Sequence, residues 1–194
     1  MSRHFISLIC VLCLSCVGFV CNGQERQENE LSSEIYKSIN ELNANIIFIR
    51  HALAPGIGDP KGFDIKDCTT QRNLNYIGRV QAQSLGQFFR ETELKFDEIL
   101  SSEWCRCWQT AELLKLGPWK TFSGLNSFFE DHKDKNSILT MLGQKINSLS
   151  KNSLVLMVTH QILISAITGH HVPSGGVVIY NSIDQVAQVI KINR

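Results

Sequence analysis

Two histidines and two arginines follow apolar runs of this sequence, either directly or after a few residues: Arg50, His51, Arg106 and His160. Residues 46–49 lead directly into the Arg-His pair, residues 153–159 lead into His160, and residues 96–100 end a few positions before Arg106. Arginine forks match phosphate oxygens in bidentate fashion, and a neutral imidazole can become covalently phosphorylated. Taken singly, each residue has a structural alternative, as a hydrogen-bonded strand-end histidine or a surface cation. Together they predict phosphoryl transfer.

Apolar runs without polar alternation are typical of strands buried on both faces, in the middle of a parallel sheet. We predict such strands over residues 45–50, 96–100 and 153–159, and a short one over 119–122. Patterns typical of helices lie before and between these strands, and their apolar faces include Val80. Asn136 is expected to cap one of these helices. After Pro173, two alternating segments predict a terminal β-hairpin. The expected fold is an α/β three-layer sandwich with a mainly parallel central sheet, which places ligands at the carboxyl ends of its strands.

The first 23 residues have the pattern of a secretory signal peptide, in which Arg3 and His4 precede an uncharged apolar stretch and small residues. The stretch is short for a membrane span, and an uncleaved anchor or a lipoprotein are the alternatives. We therefore divide the chain into a signal peptide (1–23), a linker with a short helix (24–44) and one domain (45–194). The protein is expected to be exported, either to the periplasm or as a secreted protein.

Loss of the signal peptide leaves 18 basic residues of the original 19 against 18 acidic ones, which argues against nucleic acid as a partner. It also removes four of the seven cysteines and leaves Cys68, Cys105 and Cys107. In an exported chain these allow at most one internal disulfide. Cys68 is expected to pair with Cys105 or Cys107, and both pairings stay open.

The stretch Ile49–Ala52 resembles the Arg-His-Gly signature of the histidine phosphatase superfamily, which has the phosphoglycerate-mutase-like fold. The stretches 74–82, 101–111 and 158–161 resemble the other motifs of that superfamily, in the same order. As a set, the four motifs make the resemblance specific. Within the superfamily the chain is similar to small bacterial exported phosphatases, including those related to lipopolysaccharide heptose phosphatases.

The resemblance implies a role for each site residue. His51 would be the nucleophile that becomes phosphohistidine, and three residues would complete the phosphate-binding pocket: Arg50, Arg106 and His160. Family members often carry an acid that protonates the leaving group, and Glu130 lies about where that acid falls, with Asp131 as a rival. A disulfide from Cys68 would tie the loop after the first strand to the helix that carries Arg106.

The sequence departs from the family pattern in two places. Ala52 replaces the signature glycine, and we expect this small change to be tolerated. The loop 52–70 shows no match to the substrate-binding residues of the mutases, so mutase activity is not expected. Its length and its position after Arg50-His51 favour a functional loop.

The expected function is that of a metal-independent phosphomonoester hydrolase that acts on a small extracytoplasmic phosphorylated molecule, such as a sugar phosphate or an envelope component. No cofactor is implied, and the adjacent His170 and His171 lack the spacing of a metal site. Membrane contact is expected only for a lipidated form. The alternative is a non-catalytic phosphate or sugar-phosphate binding protein with a retained pocket. A pocket that neither Glu130 nor Asp131 faces would favour this alternative.

Overall fold

The computed structural model describes residues 33–92 and 94–192, and these form a six-stranded mixed sheet between two layers of helices. The predicted signal peptide and residues 24–32 of the predicted linker segment lie outside the described residues. No helix in this part of the chain is long and apolar enough to cross a membrane.

Strands and helices alternate along the chain in the predicted order. The strands are β1 (Ile46–Arg50), β2 (Glu98–Ser101), β3 (Lys120–Thr121), β4 (Val155–Thr159), β5 (Val177–Asn181) and β6 (Val186–Ile190). The helices are α1 (33–42, as far as it is described), α2 (Tyr76–Glu91), α3 (Cys105–Leu114), α4 (Lys135–Asn147) and α5 (Gln161–Thr168). Short 3-10 turns cover Cys68–Thr70, Ser123–Leu125 and Phe129–Asp131.

The sheet has the strand order β3-β2-β4-β1-β5-β6. The first four strands are parallel, and β5 and β6 form the predicted antiparallel hairpin. Arg50 pairs with Thr159, and Ser101 pairs with Val158. The parallel strands β1, β2 and β4 therefore end nearly level, at one edge of the sheet.

Strand β1 is buried on both faces, as its unbroken apolar run predicted. Ile47 and Ile49 pack in one core with residues of α1, α2 and α3. Ile46 and Phe48 pack in a second core with residues of α4 and α5. Helices on both faces of the sheet make the fold the expected three-layer α/β sandwich.

Two local predictions about helices were wrong. Val80 is 40% exposed, because the buried residues of α2 recur along a different stripe: Gly78, Ala82, Leu85, Gly86 and Phe89. The cap of α4 is Asp134, whose carboxylate accepts a hydrogen bond from the Ser137 N–H at 2.7 Å. Asn136 lies within the first turn of α4, too late in the helix to act as its cap.

Glycines in α2 allow very close packing against neighbouring backbone. A Cβ atom on Gly86 would lie 2.1 Å from the carbonyl oxygen of Leu114, at the end of α3. A Cβ atom on Gly78 would lie 2.0 Å from the carbonyl oxygen of Leu53, in the loop after β1. Both positions therefore require glycine for steric reasons.

We predict that Gly86→Ala lowers the free energy of unfolding by roughly 1–3 kcal/mol, because the added methyl group pushes α2 away from α3. Gly143→Ala is the matched control, since a Cβ atom there meets nothing within 4 Å. In helix α4 this control should raise stability by about 0.5–1 kcal/mol. Urea unfolding measures both variants, and equal changes in stability would contradict the close contact between α2 and α3.

Candidate active site

A cavity of about 360 Å³ opens at the carboxyl ends of the parallel strands. Four of the five predicted site residues line it: Arg50, His51, Arg106 and His160. The two histidines follow paired neighbouring strands, and their ring centroids lie 5.5 Å apart, edge to face. A backbone hydrogen bond extends the pairing of β1 and β4 to His51, whose N–H donates to the Thr159 carbonyl at 2.9 Å.

His51 is held as a neutral imidazole with one defined tautomer. Its Nδ1 lies 2.8 Å from the Ala52 carbonyl oxygen, which can only accept, so Nδ1 carries the hydrogen and Nε2 keeps its lone pair. Burial and then the charge of Arg106 lower the pKa of His51 to about 3, against an opposing effect of the Ala52 carbonyl. Near neutral pH the ring is therefore an unprotonated base and nucleophile.

Side chains from α2 and α3 hold the loop that follows His51. The Ala52 N–H donates to Thr110 Oγ1 at 3.0 Å, and the Leu53 N–H donates to Gln81 Oε1 at 2.9 Å. The amide of Gln81 also donates to the Ser174 carbonyl at 2.8 Å. Ala52 itself is fully buried within a small apolar cluster, so its methyl group is accommodated in place of the signature glycine.

Two charged residues that were not predicted as site residues, Asp59 and Arg72, also line the cavity. Asp59 accepts hydrogen bonds from Arg106 Nη1 at 2.8 Å, from the Arg72 backbone N–H at 3.0 Å and from the Trp104 indole N–H at 3.0 Å. Burial alone would raise the pKa of Asp59, but these donors and the Arg106 charge outweigh it and lower the pKa. In the sequence, only the position of Asp59 and Arg72 in, or next to, the long loop 52–70 indicates that they belong to the site.

The cavity carries an excess of positive charge. Its lining includes three guanidiniums and the single carboxylate of Asp59, which leaves two positive charges before its four histidines are counted. Burial and the charge of Arg106 lower the pKa of Arg50 and of Arg72. The buried Nε atoms of Arg50 and Arg106 have no hydrogen-bond partner. An oxyanion bound among these groups would supply both the missing charge and the missing acceptors.

Polar neighbours hold the imidazole ring of His160 in place. Its Nε2 lies 3.0 Å from Ser102 Oγ and 3.3 Å from Cys107 Sγ, and the Ser102 hydroxyl donates to Asn126 Oδ1 at 3.0 Å. Burial and then the charge of Arg106 lower the pKa of His160 well below its usual value. Burial raises the pKa of Cys107 to about 12, so this thiol stays uncharged.

The structure does not place Glu130 or Asp131 in the cavity lining. The Glu130 side chain is 51% exposed, and its Oε2 lies 3.4 Å from His132 Nε2. A Cβ atom on Gly58 would lie 2.9 Å from that oxygen, so the carboxylate sits at the rim. Glu130 and Asp131 both have left-handed backbone, with φ of 54° and 56°, which costs roughly 1–3 kcal/mol each in a residue other than glycine. This turn sends Glu130 to the rim and His132 into the lining.

The loop after β1 is anchored to the start of α3. The structure joins the Sγ atoms of Cys68 and Cys105, whose Cα atoms are 5.7 Å apart, and leaves Cys107 as a free buried cysteine. The Gln71 side chain accepts a hydrogen bond from the Cys105 N–H at 3.0 Å and so satisfies a free donor of the helix N-terminus. These contacts connect the loop to the turn of α3 that carries Arg106.

The adjacent His170 and His171 face different surroundings. His170 Nε2 lies 3.3 Å from the Ala187 carbonyl, whereas His171 lines the cavity with its Nδ1 3.1 Å from Ser165 Oγ. Within residues 33–92 and 94–192, no three histidine, cysteine, aspartate or glutamate side chains are grouped closely enough to hold a metal ion.

Part of this chain is similar to a known protein family and to known phosphatases. The model of the histidine phosphatase superfamily (branch 1) matches residues 46–128. The mitochondrial serine/threonine-protein phosphatase Pgam5 of Drosophila virilis is 28% identical over 93 residues, which are 48% of this chain and 29% of that protein. The chain thus matches less than a third of the length of this relative.

Solved structures with the same fold include further phosphatases. The protein histidine phosphatase SixA, complexed with tungstate, has a TM-score of 0.51 and 15% identity, over 74% of this chain and 92% of that chain. A phosphoserine phosphatase of Entamoeba histolytica, in complex with 3-phosphoglyceric acid, has a TM-score of 0.50 and 16% identity, over 77% and 96%. These likenesses confirm the predicted phosphoglycerate-mutase-like fold. The family model adds to the sequence motifs a similarity to the histidine phosphatase superfamily over residues 46–128.

Proposed function

We propose that this protein is a phosphomonoester hydrolase that acts through a phosphohistidine at His51. One observation carries the proposal: a neutral imidazole with its lone pair on Nε2 lines the same cavity as three guanidiniums. A nucleophile and a binding site for an oxyanion are thereby combined. The family match supports the same chemistry.

Charge favours a phosphomonoester as the ligand. The two net positive charges of the three arginines and Asp59 balance the two negative charges of a monoester dianion, whereas a diester carries only one. Arg50 and Arg106 bind the nonbridging oxygens, in part through the Nε–H groups that lack a partner in the structure. His160, held by Ser102, completes the phosphate-binding pocket.

The reaction proceeds in two displacements at phosphorus. His51 Nε2 attacks, the P–O bond to the leaving group breaks, and its electron pair leaves with that oxygen. The guanidiniums stabilise the charge on the equatorial oxygens as the phosphoryl group moves. Water then attacks the phosphohistidine, the N–P bond breaks, and inorganic phosphate and free His51 result.

The proposed substrate is a small phosphorylated molecule outside the cytoplasm. A cavity of about 360 Å³ suits a phosphate with a compact leaving group. The names of two structural relatives point the same way, since one is a phosphoserine phosphatase and the other was complexed with the oxyanion tungstate. Export is supported by the signal-like pattern of residues 1–23, and a sugar phosphate or an envelope component is the class that such a location favours.

Hydrolysis of an aryl phosphate in the presence of a chelator tests the proposed function. We expect the wild-type protein and His170→Ala to be active, because His170 lies outside the cavity lining. His51→Ala should lose activity to the background rate, since no other group replaces the nucleophile. Activity that disappears with the chelator, or that persists in His51→Ala, would contradict the mechanism.

A non-catalytic binding protein is the second candidate, and the position of Glu130 and Asp131 outside the cavity lining favours it. Such a protein would bind inorganic phosphate through the same arginines and would hydrolyse no phosphomonoester. Calorimetric titration with phosphate, carried out beside the hydrolysis assay, separates the two. Binding without turnover of any tested ester would establish this second function.

We also propose that the exported protein carries the Cys68–Cys105 disulfide, which restrains the loop that supplies Asp59 and Arg72. Peptide mapping without reduction should give one linked peptide pair with Cys68 and Cys105, and Cys107 as a free thiol. The sample is protein purified from an oxidising compartment. A linked pair with Cys68 and Cys107, or three free thiols, would reject the proposed bridge.

A further inference from the structure

The wall of the cavity nearest solvent carries His132, whose role is not explained by phosphate binding. His51, Arg106 and His160 are nearly fully buried, so they form the floor on which the phosphoryl group would rest. The leaving group must then extend toward the outer wall, where His132 is 24% exposed next to the partly exposed Phe129. A group that protonates the leaving oxygen has to stand on this wall.

We propose that His132 is the general acid of the reaction and that Glu130 positions it, a proposal that rests on the function proposed above. The Nε2 atom of His132 is enclosed and has no hydrogen-bond partner, while Glu130 Oε2 lies 3.4 Å away from it. His132 thus lies between the Glu130 carboxylate at the rim and the cavity that it lines. The ring of Phe63 packs edge to face on the imidazole, with 5.0 Å between centroids, and limits its rotation.

The carboxylates near the cavity are less suited to this task. Asp59 lines the cavity, but a positively charged arginine and two further donors hold it as an ionised acceptor. Glu130 lies at the rim with half of its side chain in solvent, and it faces His132. Imidazole is the side chain that most often gives and takes protons in enzyme sites. The strained turn at Glu130 and Asp131 brings the Glu130 carboxylate close to the His132 imidazole.

The proton balance of both steps is complete. In the first step the His51 Nε2–P bond forms, the P–O bond breaks, and protonated His132 gives its proton to the leaving oxygen, which departs as an alcohol. In the second step neutral His132 takes a proton from the attacking water as the O–P bond forms and the N–P bond breaks. Phosphate and protonated His132 result, ready for the next substrate. Glu130 stabilises the imidazolium and exchanges no proton in either step.

Dependence on the leaving group tests the proposal, because proton donation matters only where the leaving oxygen is strongly basic. We expect His132→Asn to reduce kcat/KM about 10²–10⁴-fold for an alkyl phosphate. For 4-nitrophenyl phosphate, whose leaving group departs without a proton, the loss should stay below about tenfold. Glu130→Gln should show a smaller loss with the same preference, and the adjacent Asp131→Asn is the matched control that should show none.

Chemical rescue provides a second readout that a purely structural role would not produce. Free imidazole should restore kcat/KM for the alkyl phosphate in His132→Gly and leave kcat/KM for nitrophenyl phosphate unchanged. Equal losses on both esters, or a failure of rescue in a variant with normal unfolding, would overturn the role of His132. A large loss in Glu130→Gln with normal activity in His132→Asn would make Glu130 the acid and overturn the proposal. A wild-type protein that hydrolyses neither ester would refute the proposed function itself, and His132 would then have no reaction to serve.

Discussion

The parallel pairing of β1 with β4 is the constraint on which the site depends. It sets Arg50 opposite Thr159, so the histidines that follow leave neighbouring strands at one level and meet at ring distance. A slip of one residue would turn every side chain of β1 to the other face of the sheet. The isoleucines and phenylalanine that fill two separate cores would then lose their places. Burial of these apolar residues therefore fixes the geometry of the polar ones.

One electrostatic field serves two purposes in the cavity. Burial and the charge of Arg106 keep His51 neutral, which a nucleophile requires, and in the proposed reaction the same guanidiniums would attract the phosphoryl group. Gathering positive charge in a buried site is unfavourable, and Asp59 offsets part of this cost by binding Arg106. The remaining positive charge is complementary to the dianion proposed as substrate.

The parts of the site that could be predicted from the sequence are those that strand order alone determines. Arg50, His51 and His160 follow buried runs, and parallel strands gather their carboxyl ends at one edge of the sheet. Asp59 and Arg72 enter the cavity through the path of a long irregular loop, which no periodic pattern describes. Glu130 lies at the rim, because two consecutive left-handed residues, neither of them glycine, turn its side chain there. The partner of Cys68 likewise depends on that loop, since two residues of α3 were equally near in sequence.

Direct capture of the covalent intermediate tests the central claim. The wild-type protein is mixed with an aryl phosphate, quenched in alkali within milliseconds and digested, and the peptides are analysed by mass spectrometry for an added phosphoryl group. We predict an acid-labile, alkali-stable phosphoryl group on His51, which appears before product accumulates and is absent in His51→Ala. Turnover without any phosphorylated peptide, or a phosphoryl group on another residue, would contradict the account.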